Sequence, residues 1–234
     1  MLELYIANKN YSSWSLRPWV LMRELSIPFD ERLVPFAGGA GASWKTYRAF
    51  SPSGRVPCLV DGGTAVWDSL AIAEYLAERY EGVWPVDATA RAWARCAAAE
   101  MHSSFSALRQ QCSMSCGVRI RLNRVSPELQ RDLDRIGELW EEGLHRFGGP
   151  FLAGADFGGV DAFFAPVAFR IQTYGLPLPA AAVAYAQRLL ALPSMGEWYA
   201  AGLQEPWRET EHDAESARSG TLVADLRVPA ATRR

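Results

Sequence analysis

The spacing of hydrophobic positions changes character near residue 80. Before that point, short apolar runs alternate with amphipathic segments, which is typical of a chain that alternates strands and helices. Turn-forming residues such as the Gly38–Gly41 run separate these segments. The pattern predicts the order β-α-β-α-β-β-α, with elements at residues 2–7, 15–25, 29–36, 43–50, 56–60, 64–67 and 69–80.

After residue 80 nearly every segment has helical spacing. Residues 91–122 predict one long or interrupted helix. Ser126 followed by Pro127 predicts the start of another helix, which runs to about Phe147, because serine caps helix N-termini and proline suits the first turn. Two or three shorter helices follow. The predicted organisation is a mixed domain, a linker, a helical domain and a polar surface arm compatible with partial disorder, at residues 1–80, 81–89, 90–205 and 206–234.

Composition narrows the class of protein. The chain has 234 residues, 24 Lys+Arg against 26 Asp+Glu and a formal net charge of −2, which argues against nucleic acid as a partner. No apolar run approaches the roughly 20 residues that a membrane helix needs, so a membrane location is not expected. The start of the chain shows no secretory signal, and we expect a cytoplasmic protein with four reduced cysteines and no metal site.

Hydroxyl groups cluster where the first predicted helix begins, in the segment from Tyr11 to Arg17. A helix N-terminus carries partial positive charge and unpaired N–H groups, so Ser12 or Ser13 could stabilise an anion there. The alternative is that one of them only caps the helix.

Two further segments suggest ligand contacts. Pro57 enters a strand, and a cis Val56–Pro57 bond would turn the Val56 N–H and C=O outward, although an ordinary trans turn is the more frequent form. Asp68 and Ser69 precede a predicted helix. They can cap it, and they can also hold the ammonium and carboxylate of an amino-acid end; the two roles are compatible.

Together these segments resemble the glutathione S-transferases. The resemblance rests on Ser-Ser-x-Ser-x-Arg at 12–17, Val-Pro-x-Leu at 56–59 and Asp-Ser-Leu-Ala-Ile-x-Glu-Tyr-Leu at 68–76. It extends to Phe-Leu-Ala-Gly at 151–154 and the apolar run at 160–167, and spans roughly residues 2–205. The first motif is similar to the zeta class and to bacterial serine-type enzymes. The resemblance implies a thioredoxin-like N-terminal domain followed by a helical-bundle domain, and a homodimer.

The resemblance also implies roles for individual residues. The hydroxyl of Ser12 would hydrogen-bond the glutathione sulfur; Ser13 has the spacing to Arg17 found in theta- and delta-like enzymes, so both stay open and Ser12 is preferred. Val56 would pair with the cysteinyl backbone of glutathione beside a cis Pro57. The γ-glutamyl end would be held by Asp68 and Ser69. Asp161 would belong to a helix capping box whose N-cap here is Gly158.

We expect an enzyme that conjugates or isomerises a small electrophile, with glutathione as co-substrate and detoxification as its role. Trp14 stands where zeta enzymes usually have cysteine, which makes maleylacetoacetate isomerase activity doubtful. The alternative is a non-catalytic protein of this fold that binds glutathione or a partner. The electrophile pocket is expected between the domains, and its candidate residues are Tyr11, Trp14, Met101, Phe105, Leu108 and Met114.

Overall fold

The computed structural model describes residues 1–37 and 42–230. The predicted glycine-rich turn at residues 38–41 therefore lies outside the described residues, as do the last four residues of the predicted arm. Within the described ranges, no helix is both long enough and apolar enough to cross a lipid bilayer.

The N-terminal part is a four-stranded mixed sheet with three helices. Its strands are β1 (Leu2–Ile6), β2 (Phe29–Leu33), β3 (Cys58–Asp61) and β4 (Thr64–Val66), and its helices are α1 (Ser13–Glu24), α2 (Ala42–Tyr47) and α3 (Ser69–Ala77). The strand order is β2-β1-β3-β4. β1 runs parallel to β2 and antiparallel to β3, and β4 returns antiparallel to β3. This is the thioredoxin-like arrangement, so the predicted fold class is confirmed for this half.

The central position of β1 follows from its side chains. Leu2, Leu4 and Ile6 are buried, at every second position, and the residues between them are half-buried. A strand covered on one face by a helix shows this alternation. The helix that covers it, α1, buries nine of its residues, Trp19 among them.

The C-terminal part is predominantly helical, as predicted. Its helices are α4 (Ala88–Ser103), α5 (Ser106–Gln111), α6 (Pro127–Phe147), α7 (Gly159–Tyr174), α8 (Ala180–Leu190), α9 (Pro193–Gln204) and α10 (Thr210–Ser219). The predicted start of α6 is confirmed: the Ser126 hydroxyl accepts a hydrogen bond of 3.1 Å from the Leu129 N–H. α7 is the central helix, with nearly every residue buried, and it packs against α1, α4 and α8.

Two segments differ from the sequence-based expectation. Residues 91–122 do not form one helix, because β5 (Val118–Leu122) ends the segment as a strand. Its partner is β6 (Gly220–Asp225), which pairs with it antiparallel, so most of the predicted arm is an ordered helix and strand. The partners lie about a hundred residues apart in sequence, so nothing nearby in the chain indicates the pairing, although Val118, Ile120 and Leu122 alternate with arginines as in a strand. The domain limits at 80 and 205 remain predictions.

The loop between β1 and α1 is held by the C-terminal part. The Glu205 carboxylate accepts hydrogen bonds from the backbone N–H groups of Lys9, at 2.5 Å, and Asn10, at 3.2 Å. The Trp198 indole N–H donates to the Lys9 carbonyl at 2.7 Å. All these groups are buried, so the two parts of the chain jointly fix the loop that leads into residues 11–14.

Candidate functional site

Ser12 and Ser13 lie at the start of α1, as the sequence predicted. Ser12 is the N-cap, where its hydroxyl accepts from the Ser15 N–H at 3.4 Å and donates to Ser15 Oγ at 2.8 Å. Ser13 is the first residue of the helix, and its side chain holds no hydrogen bond within the described part of the chain. Both are largely buried, with 5% and 7% of their surface exposed, and both face a cavity. The capping interpretation therefore describes Ser12, and a free hydroxyl remains at Ser13.

The cavity at these serines has a volume of about 180 Å³ and lies between the two parts of the chain. We call it the serine cavity. Both parts of the chain contribute to its wall. The N-terminal part supplies Tyr11, Ser12, Ser13, Trp14 and Phe36, and the C-terminal part supplies Arg109, Ser113, Met114, Arg170, His212 and Glu215. An enclosed space with aromatic and charged groups at a domain boundary is typical of a small-molecule site.

A second cavity, of about 350 Å³, lies at the edge of the sheet, and we call it the proline cavity. It is lined by Trp14, Ser53, Arg55, Val56, Pro57, Trp67 and Asp68. The Val56–Pro57 peptide bond is cis, as the resemblance implies. Trp14 belongs to the walls of both cavities, so the two cavities adjoin at this indole.

Asp68 and Ser69 begin α3. The Asp68 carboxylate caps this helix by accepting from the Leu70 N–H at 3.1 Å, and its Oδ2 lies 3.2 Å from His102 Nε2. Burial lowers the pKa of His102, and the charges of Arg17 and Arg109 lower it further, against the opposing effect of Asp68. The Ser69 hydroxyl is fully buried and has no hydrogen-bond partner among the described residues. Asp68 therefore lies on the proline cavity, whereas Ser69 lies behind it.

Two arginines, Arg17 and Arg109, lie over the Trp14 ring, and a third, Arg170, lines the same cavity. Arg17 is fully buried, its guanidinium carbon lies 4.2 Å from the centroid of the Trp14 ring, and all three of its nitrogens lack a hydrogen-bond partner among the described residues. Burial lowers the pKa of Arg17 well below its usual range, and the neighbouring charges of Arg109 and Arg170 lower it further. Burial likewise lowers the pKa of Arg170 to about 10. This region is therefore electropositive.

The structure places the predicted electrophile-pocket residues in two groups. Tyr11, Trp14 and Met114 line the serine cavity. Met101, Phe105 and Leu108 are instead buried in the hydrophobic core and reach neither cavity wall. Their helical spacing made both a core and a pocket compatible with the sequence.

Several cavity residues were missed by the sequence reasoning. Arg170 is a member of the buried helix α7, where only the tertiary structure shows that it faces the serine cavity. His212 and Glu215 belong to α10, in the segment expected to be an arm. Arg55 adjoins the Val-Pro motif and could have been found from that adjacency, because it lines the proline cavity and is exposed.

The arrangement is suited to activating a ligand that brings its own reactive atom. The serine hydroxyls, the N-terminus of α1 and the nearby guanidinium groups favour negative charge at one place. Burial raises the pKa of the Cys58 thiol, which argues against a reactive protein thiolate at that position. No cluster of three or more His, Cys, Asp or Glu side chains suited to a metal ion occurs in ranges 1–37 and 42–230.

The fold and these cavities define a class: proteins with a thioredoxin-like domain followed by a helical domain, with a ligand site where the two meet. Comparison with known proteins identifies the family. The family model for the glutathione S-transferase N-terminal domain matches residues 11–79, and the model for the C-terminal domain matches residues 119–201. The chain therefore belongs to the glutathione S-transferase superfamily.

Individual relatives agree with this assignment. A dichloromethane dehalogenase of Methylorubrum extorquens is 38% identical over 61 residues, but the match covers only 26% of this chain and 21% of the relative. The glutathione S-transferase hmp2 of Hypomyces subiculosus is 24% identical over 220 residues, covering 85% and 93%. A Burkholderia glutathione transferase homolog, solved with bound glutathione, has a TM-score of 0.63 at 24% identity, covering 86% of this chain and 97% of its own.

Proposed function

We propose that this protein is a glutathione transferase that activates the glutathione thiol as a thiolate and directs it at a small electrophile. The observation that carries the proposal is the shared position of Trp14. It joins the cavity beside cis Pro57 and Asp68 to the cavity that contains the serine hydroxyls. A peptide-like ligand in the first cavity can thereby present its sulfur to the second.

Each group of the proline cavity has a counterpart in glutathione. The exposed backbone of Val56 can pair with the cysteinyl unit as an added strand does. The Asp68 carboxylate can accept from the γ-glutamyl ammonium, and the N-terminus of α3 favours its carboxylate, whereas the Ser69 hydroxyl, buried behind the cavity, would reach that carboxylate only if the start of α3 shifted. Arg55 can attract the glycyl carboxylate from the opposite wall.

The thiol chemistry requires only a modest free energy. A thiol with a pKa near 8.5 is about 3% ionised at pH 7, and lowering that pKa to about 6.5 raises the fraction to about 75%. The shift corresponds to about 2.7 kcal/mol. One hydrogen bond to a charged group contributes about 1.5–3 kcal/mol, and a helix N-terminus adds about 0.3–1 kcal/mol. A single serine hydroxyl at the start of α1 is therefore sufficient.

Ser12 and Ser13 would contribute differently. The Ser12 hydroxyl already donates to Ser15 Oγ, so it must exchange that hydrogen bond for one to the sulfur. The Ser13 hydroxyl has no such bond to give up, and it faces the same cavity. We retain both candidates for the sulfur contact, and the hydrogen bonding of the two hydroxyls favours Ser13 as the donor.

The reaction that follows is a displacement or an addition. In a displacement, the thiolate electron pair forms a carbon–sulfur bond while the carbon–halogen bond breaks and halide leaves with its pair; the thiol proton passes to water. The names of the dehalogenase relatives make halide a reasonable leaving group for a first assay. Isomerisation would proceed by reversible addition of the same thiolate. We further propose that the protein is a homodimer that acts in detoxification in the cytoplasm.

The second candidate is a protein that binds glutathione or another partner without turnover. Burial raises the pKa of Tyr11, the phenol that lines the serine cavity, to about 12, so this group is not a ready nucleophile. A scaffold, however, has no need of a free hydroxyl at the start of α1. We therefore rank the enzyme first.

The test compares Ser12→Ala and Ser13→Ala with Ser106→Ala, which removes an exposed hydroxyl of α5 as a matched control. Glutathione binding, conjugation of chlorodinitrobenzene and the ultraviolet absorbance of the bound thiolate against pH are measured. Removing the sulfur contact should raise the pKa of the bound thiol by about one to two units, since it removes one charge-assisted hydrogen bond. Unchanged thiol pKa and activity in both variants would contradict the serine mechanism. Glutathione binding without turnover in the parent protein would favour the scaffold.

A further inference from the structure

The serine cavity carries positive charge that the protein itself balances only in part. Arg109 and Arg170 belong to its wall, and Arg17 lies directly behind Trp14. None of these three guanidinium groups forms an ion pair with a carboxylate in the described part of the chain. By contrast, other arginines form ion pairs, such as Arg135 with Glu100.

The hydrogen bonds of the two wall arginines go to neutral groups. Arg170 Nε donates to the Cys112 carbonyl at 2.8 Å, and its Nη1 donates to the Pro166 carbonyl at 3.3 Å. Arg109 donates through Nε to the Ser104 carbonyl at 3.0 Å, and through Nη2 to the Met101 carbonyl. Each guanidinium keeps further N–H donors without an acceptor among the described residues, and backbone carbonyls cancel none of the charge.

Buried charge without a partner is costly, and Arg170 is only 3% exposed while Arg17 is fully buried. The carboxylates in the neighbourhood offset this cost only in part: Asp132 acts to raise the pKa of Arg109 and Asp68 that of Arg17, but neither forms an ion pair with these arginines in the described part of the chain. Asp68 is paired with His102 and lies in the proline cavity. Glu215 lines the serine cavity from α10, yet forms no ion pair with the arginines. With two arginines and one glutamate in its wall and Arg17 behind it, the serine cavity is net positive.

We infer that the electrophile accepted by this enzyme carries an anionic group, most simply a carboxylate, which Arg109 and Arg170 bind in the serine cavity. The inference rests on the proposed transferase function and names its substrate class. Glutathione brings one negative charge to this cavity, the thiolate at the serines, but its carboxylates are assigned to the proline cavity, so no carboxylate of glutathione reaches Arg109 and Arg170. The volume of about 180 Å³ matches one small substituted ring, since a cavity of roughly 150 Å³ holds benzene.

The test separates charge from shape. A chlorodinitrobenzoate and the matching chlorodinitrobenzamide are compared as substrates, and nitrobenzoate and nitrobenzamide are compared as ligands by calorimetry with saturating S-methylglutathione present. The variants are Arg109→Gln, Arg109→Lys, which keeps the charge, and Arg131→Gln as control. Arg131 lies on α6 with 69% of its side chain exposed, paired with Glu128. Arg170 is left intact because its hydrogen bonds tie the core helix α7 to the chain before β5.

The parent protein should prefer each carboxylate over its amide. Arg109→Gln should reduce that preference, expressed as the ratio of kcat/KM values and as the ratio of Kd values, roughly 10- to 100-fold, the value of one charge-assisted hydrogen bond. Arg109→Lys should retain more of the preference, and Arg131→Gln all of it. Circular dichroism and retained S-methylglutathione binding show that Arg109→Gln is folded.

The outcomes distinguish this inference from the proposed function. Turnover of the amide as fast as the carboxylate, or a preference that survives Arg109→Gln, overturns the anionic substrate and leaves the transferase standing. Arginine-dependent carboxylate binding without any turnover supports the anion site and rejects the transferase. Displacement of nitrobenzoate by S-methylglutathione places the anion in the proline cavity and overturns the inference.

Discussion

Replacing Asp161 by asparagine should destabilise the protein in acid more than at neutral pH. Asp161 is fully buried in the first turn of α7. Its Oδ1 accepts from the Leu152 N–H at 3.0 Å and from the Tyr185 hydroxyl at 2.6 Å, and its Oδ2 accepts from the Gly158 N–H at 3.0 Å. Asparagine can keep the first two hydrogen bonds, but its NH₂ group then faces the Gly158 N–H. The lost hydrogen bond costs about 1–3 kcal/mol.

The ionisation of Asp161 makes the parent less stable as the pH rises, so the difference in unfolding free energy between parent and variant becomes smaller. Burial raises its pKa from 3.8 to about 6, against the effect of the three hydrogen bonds. The folded protein therefore binds this proton more tightly than the unfolded chain, so the stability that Asp161 contributes is greatest below about pH 4 and is lost as the pH rises through about 6. Between about pH 5 and about pH 8, the parent should lose about 1.4 kcal/mol relative to the variant, which does not titrate there.

Urea unfolding followed by tryptophan fluorescence at both pH values measures this difference. The control is Asp156→Asn, an exposed carboxylate in the loop that precedes α7, for which no such difference is expected. Asp161→Asn should be clearly less stable than the parent near pH 5 and close to it near pH 8. A difference in unfolding free energy that stays constant, or that grows with pH, would refute the reasoning.

Two further substitutions test the packing between the two parts of the chain. Glu205→Gln should lower both the melting temperature and glutathione conjugation. The glutamine amide can accept from only one of the backbone N–H groups of Lys9 and Asn10, and the lost hydrogen bond costs about 1–3 kcal/mol. A calorimetric melting temperature equal to that of the parent would contradict this. Gly159→Ala should destabilise by about 1–3 kcal/mol, since the new methyl group would lie 2.8 Å from the Trp84 ring. Gly196→Ala, which meets nothing within 4 Å, is the matched control and should leave urea unfolding unchanged or slightly improved. Equal changes in unfolding free energy for the two glycine variants would show that the Trp84 ring moves aside and that the proposed clash does not occur.

The sequence predicted those helices and strands whose ends are marked by residues within or next to the element itself. α6 is the clearest case, because Ser126 and Pro127 specify its start without reference to any other part of the chain. The alternation of buried residues in β1 and the capping residue Asp68 of α3 are signals of the same kind. The motif order then indicated the superfamily, and with it the thioredoxin-like fold.

Non-local pairing could not be predicted in this way. The predicted helix at residues 91–122 includes residues 118–122, although Val118, Ile120 and Leu122 alternate with arginines as in a strand; a run of five residues is short beside the helical spacing that precedes it. The partner strand follows α10, and its apolar residues, Leu222, Val223 and Ala224, are consecutive and show no strand alternation. Neither strand exists without the other, since an isolated strand leaves its backbone groups unpaired.

The same division applies to the site. The sequence by itself determined where the hydroxyls of Ser12 and Ser13 meet a helix N-terminus and which motif carries the cis proline, because these features depend on neighbours in the chain. Only the tertiary structure decided that Arg109 and Arg170, from separate helices, meet at one cavity, and that Met101 turns into the core. Charge and burial at a cavity depend on every element packed around it. The selection of an electrophile is therefore a property of the packed protein.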